Sequence, residues 1–90
     1  MKFEWDDQKA AHNFAKHGVS FEEASSVFND PFYIDFYDPE HSEEENRFLI
    51  TGEADEERHL IVAYTERKNS IRIISARRMT RKERREYEKG

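Results

Sequence analysis

The chain has no cysteine among its 90 residues, and only three glycines and two prolines. Without cysteine there can be no disulfide, no thiolate nucleophile and no thiolate metal ligand. That suits a reducing, cytoplasmic home. Gly18, Gly52 and Gly90 stand apart, so no glycine loop cradles a phosphate, and no serine has the glycine neighbours of a nucleophile elbow. The longest apolar runs, "FLI" and "LIVAY", fall far short of the ~20 residues that span a bilayer. "MKFEWDD" lacks an apolar signal core, so no export is expected. His12, His17, His41 and His59 include no pair four apart. No metal or other cofactor is therefore predicted.

What is present is charge and aromatic bulk. Charged residues make up 39% of the chain, but seven Phe, four Tyr and one Trp supply a core that a disordered chain would lack. The charge is unevenly placed. Residues 1–66 carry 5 Lys/Arg and 17 Asp/Glu, while residues 67–90 carry 10 and 3. An acidic first part is joined to a basic end. A basic patch is the usual electrostatic footprint of a phosphate-bearing partner, although solvation or pairing with the acidic half explains charge equally well.

The periodicity predicts one domain over residues 1–90, ordered β-α-α-β-β-β-β-α. "KFEW" alternates as a strand, and Asp6 caps a helix that ends at Gly18. Trp5 and Phe14 are expected in the core. Ser20 and Glu23 form a capping box, and Phe21, Ala24, Val27 and Phe28 fall at helical spacing before "NDP" ends the helix. "FYIDFY", "RFLITG", "HLIVAYT" and "IRIISAR" read as strands. The third of these is apolar on both faces and so central. Strict alternation in the last puts Ile71, Ile73 and Ser75 on one face and Arg72, Ile74 and Ala76 on the other. Thr80 and Glu83 make a second capping box, opening a basic helix. The fold class is α+β: an antiparallel sheet with two N-terminal helices and one C-terminal helix.

Candidate site residues follow from this layout. Arg77 and Arg78 join the last strand to a helix start, whose free N–H groups favour anions. Guanidinium forks can hold a phosphate and take up transition-state charge. Lys16 and His17 either complement the end of their helix, worth about 0.3–1 kcal/mol, or serve as a phosphate-binding lysine and an acid/base histidine. Arg47, Arg67, Arg72, Arg81, Arg84, Arg85 and Tyr87 are candidate RNA contacts. Arg47 and Arg67 are expected near the opposite sheet end from Arg77, which would split the site. The loop "DPEHSEEEN" is read as solvated, with Glu45 as a possible base.

The segments "FEWDDQKAAHNFAKHGVSFEEASSVFNDP", "ENRFLITG", "LIVAYTER" and "RIISARRMTRKERREYE" together resemble the BrnT family of bacterial type II toxins. Lys16, His17, Arg47, Gly52, Arg77, Glu83, Arg84 and Tyr87 fall on the family pattern. The resemblance implies a RelE-like fold and a ribonuclease that halts translation. It also implies a BrnA-like antitoxin, with operator DNA bound only through the toxin–antitoxin complex, and an antitoxin segment covering the basic groove. Metal-independent RNA cleavage fits the residues: a base takes the 2′-hydroxyl proton, an acid protonates the leaving 5′-oxygen, and cations steady the phosphate. A pure binding module, or a toxin that docks its antitoxin without cutting, fits the same composition.

Overall fold

The computed structural model describes residues 1–89. Its elements are β1 (Phe3–Glu4), α1 (Asp7–His17), α2 (Phe21–Ser26) with a 3-10 turn at Val27–Asn29, β2 (Ile34–Asp38), β3 (Arg47–Glu53), β4 (His59–Arg67), β5 (Ser70–Arg78) and α3 (Arg81–Lys89). The five strands form one sheet in the order β1-β5-β4-β3-β2, with β4 central. The α+β arrangement matches the sequence reading, but the sheet is mixed. β1 lies parallel to β5, and the other neighbours are antiparallel. A strand that precedes two helices, and not a hairpin, is free to add in parallel.

The local signals work as chemistry. Asp6 accepts from the N–H groups of Gln8 and Lys9 at 2.9 and 3.0 Å. Gly18 closes α1 in the left-handed region at φ 68°, where a side chain would be strained. Ser20 accepts from the Glu23 N–H at 3.0 Å. The buried Glu23 carboxylate does not return to Ser20, because Arg58 holds it. At α3 the capping box is complete: Thr80 Oγ1 accepts from the Glu83 N–H, and Glu83 accepts from the Thr80 N–H.

One sheet face carries the core. Phe21, Val19, Val27, Ile50, Leu60, Val62 and Ile73 are fully buried there. Each such side chain contributes about 1.5–3 kcal/mol of burial. Trp5 packs edge-on to Phe21 at 5.9 Å, as expected of a core residue. Phe14 does not: it is 58% exposed. The reason is Asn13. Its buried side-chain amide takes the place of a strand neighbour for β5, donating to Ala76 O at 2.9 Å and accepting from the Ala76 N–H at 3.1 Å. β1 covers only the first part of that strand edge, so Asn13 must face it. The next residue on a helix then points about 100° away.

β5 also breaks strict alternation. Ala63 pairs with Ser75 but Tyr64 pairs with Ile73, which leaves Ile74 as a bulge. Ser75 therefore does not share a face with Ile71 and Ile73. The bulge places Ile71, Ile73, Ala76 and Arg78 toward the core face and Arg72, Ser75 and Arg77 toward the open one.

Candidate functional site

α1 runs alongside β5 in the same direction. Glu4, just before α1, is level with Arg72, and Asn13 is level with Ala76. Gly18 O accepts from Arg58, two residues before Leu60, which pairs with Arg78. The end of α1 thus meets the end of β5. Lys16, His17, Arg77 and Arg78, the four residues read from sequence as catalytic candidates, converge on this end of the sheet.

Beside them, an open groove of about 520 Å³ separates α1 from β5. Its walls include Lys9, His12, Lys16, His17 and Ser75. His12 and His17 flank the Asn13 anchor, so the same amide that seals the sheet edge orients both imidazoles. Among the described residues, no carboxylate forms an ion pair with Lys9, His12, Lys16, His17 or Arg78. Asp6 lines the far end, with Oδ1 engaged in capping α1. Those two backbone bonds outweigh its desolvation and hold its carboxyl below the usual range. The groove therefore offers cations able to take a phosphate, two imidazoles able to exchange protons and a serine hydroxyl. His12, Lys9 and Ser75 were missed by the sequence reading. The spacing of 9, 12 and 16 along one helix face was the available signal.

Arg77 is differently placed. Its guanidinium grips Glu83 with two bonds, of 2.8 and 2.9 Å. That grip lowers the Glu83 carboxyl to about 2, against the opposing effect of burial. The fork expected to face a phosphate is occupied by a carboxylate. Tyr87 is likewise committed: its ring stands edge-on to His59 at 5.4 Å and its hydroxyl donates to Asp30. Burial, then Asp30, pushes the Tyr87 hydroxyl up. Asp30 stays below the usual carboxyl range, because the bonds from Tyr87, Glu53 and Phe32 overcome its desolvation.

The remaining candidate arginines scatter. Arg72 pairs with Glu4 at 2.9 Å, Arg67 with Glu45 at 3.4 Å and Arg84 with Glu88 at 3.5 Å. Arg81 and Arg85 lie exposed on α3. Arg47 pairs across the sheet with Thr65, and Arg67 with Ser70, whereas Arg77 pairs with Ile61. The expected separation of Arg47 and Arg67 from Arg77 along the strands is therefore observed. Glu45, the carboxylate considered as a base, lies at that far end with Arg67.

A family model for "Ribonuclease toxin, BrnT, of type II toxin-antitoxin system" matches residues 5–83. Among solved structures, the chain is similar to the ribonuclease toxin BrnT of Brucella abortus, determined at 1.1 Å. The two share 23% identity and a TM-score of 0.66, over 90% of this chain and 99% of that one. No curated protein matches the sequence. No helix of the described residues is long and apolar enough to cross a membrane.

Proposed function

Since the chain belongs to the BrnT family of ribonuclease toxins of type II toxin–antitoxin systems, we propose that the groove between α1 and β5 is its RNA-cleaving site. One observation carries this reading. The groove gathers Lys9, His12, Lys16 and His17 with no ion-paired carboxylate, while Arg67, Arg72, Arg77 and Arg84 are each neutralised by a neighbour.

The chemistry is phosphoryl transfer within the RNA strand. One imidazole takes the proton of a 2′-hydroxyl as its oxygen attacks the adjacent phosphorus. The P–O5′ bond breaks, and the other imidazole gives its proton to the departing 5′-oxygen. Products are a 2′,3′-cyclic phosphate and a 5′-hydroxyl. His17 and His12 suit these two roles, because an imidazole titrates near neutrality. Lys16, Lys9 and Arg78 hold the phosphate and offset its added charge. Arg77 fixes α3 through Glu83 and does not touch the substrate. The reaction is metal-independent, acts in the cytoplasm and inhibits translation by cutting RNA. A BrnA-like antitoxin neutralises it, and operator DNA is met only through their complex.

The deciding experiment is incubation of the purified protein with single-stranded RNA in excess EDTA. Cleavage with cyclic-phosphate ends supports the proposal. Intact RNA in EDTA with cleavage restored by a divalent metal would replace it with a metal-dependent mechanism. Intact RNA under both conditions would favour the pure binding module or a toxin that no longer cuts.

A further inference from the structure

The groove is polar, yet most of the exposed apolar bulk lies elsewhere. Of the seven large hydrophobic side chains exposed among the described residues, five are Phe32, Tyr33, Ile34, Phe36 and Tyr37. They lead into and form β2, which is an edge of the sheet with no neighbour beyond it. Edge strands usually carry a lysine, a bulge or a cover that blocks pairing with another chain. β2 has none of these among the described residues. From Asp30 to Glu45 there are seven carboxylates and no lysine or arginine.

The two ends of the strand differ. At its start, Phe32, Tyr33, Ile34 and Tyr87 line an open apolar groove against α3. At its end, Glu40, Glu43, Glu44 and Glu45 surround an acidic depression. An occupant should therefore be extended, apolar at one end and basic at the other. RNA is excluded as that occupant because the carboxylates repel its phosphates. A second copy's β2 would bring the same seven carboxylates against these.

We infer that β2 is the docking edge for an extended segment of the antitoxin, which adds as a sixth strand, seats an apolar side chain between Tyr33 and Tyr87, and places Lys or Arg over Glu43 and Glu44. This rests on the toxin–antitoxin reading. It differs from the expectation that the partner covers only the basic groove. Main-chain pairing supplies affinity, and the end pockets supply direction and register.

The experiment is hydrogen exchange on the full chain, alone and co-purified with the product of the neighbouring gene, with RNA cleavage by the free chain measured in parallel. The expected result is new protection of the Ile34–Asp38 amides in the complex. Glu43→Lys with Glu44→Lys, both on an exposed loop, should weaken the complex by about tenfold or more, as should Phe36→Ser. Both variants should melt like wild type and cleave RNA at the wild-type rate. A complex that forms while β2 amides exchange freely overturns the docking edge and leaves the ribonuclease reading standing. Protected β2 in a protein that cuts no RNA leaves the docking edge standing and removes the nuclease. Self-association of the free chain with β2 protected would give the edge to a second copy and overturn the proposal.

Discussion

α1 and α3 both bring cations to the same end of the sheet, and they use them in opposite ways. On α1, Lys9, His12, Lys16 and His17 line a groove without carboxylate partners, and the helix is fixed by a neutral residue, Asn13. On α3, no residue is buried, and the helix is held by Arg77 on Glu83 and by Tyr87 on Asp30. A helix anchored by an amide keeps its charges free for a ligand. One anchored by ion pairs has consumed some of them. Counting cations in sequence therefore points to α3, and accounting for their partners points to α1.

Breaking the comparison at α1 should have the largest effect. His17→Ala is expected to lower single-turnover RNA cleavage by a factor on the order of 100 to 10,000, the range for losing an acid/base group. Its melting temperature should stay near wild type, since His17 makes no side-chain hydrogen bond among those described. Cleavage within a fewfold of wild type would move the chemistry out of the groove.

Asn13→Ala comes next. It removes the neutral anchor and leaves the buried Ala76 N–H and C=O without partners. Orphaning such groups costs about 1–3 kcal/mol each. Tm should fall on the order of 10 °C or more for a chain this size, by calorimetry. An unchanged melt would show that water or a backbone shift replaces the amide and that α1 is held by something else.

The smallest effect is at α3. Arg77→Ala should cost about 1 kcal/mol, the upper end for a partly exposed pair, with cleavage nearly unaffected. pH sharpens the test. Glu83 is depressed from its ordinary 4.5 to about 2 in the folded chain. Its pairing therefore stabilises fully above the ordinary carboxyl range and is lost as pH falls from about 5 toward 2. The Tm gap between wild type and Arg77→Ala should be constant from neutral pH down to about 5 and close below it. A loss of cleavage of about 100-fold or more at unchanged Tm would return Arg77 to the chemistry.

Much of this was legible in advance. Asp6, Ser20, Thr80 and Gly18 act at the termini where their types belong, because capping depends on a few neighbouring residues. β2 through β5 were readable as strands from aromatic and β-branched runs. The approach of Lys16 and His17 to Arg77 and Arg78 follows from topology, and all four were named from sequence. What could not be read depends on contacts between distant segments. Phe14 seemed apolar enough for the core until Asn13, one residue before, was claimed by Ala76. Arg77 seemed available until Glu83, known only as a cap, proved also to be its partner. β2 read as one more strand, and only the strand order makes it an edge.

The bulge at Ile74 has a consequence for heredity. Along a strand, inside and outside are a matter of parity, odd or even. One supernumerary residue resets that parity halfway along β5, so the core half and the arginine half obey separate counts. Deleting Ile74 would trade the positions of Arg77 and Arg78, sending the Glu83 partner inward and dragging α3 with it. A single-codon deletion would thus invert a whole terminus, while most single substitutions in β5 would disturb only themselves.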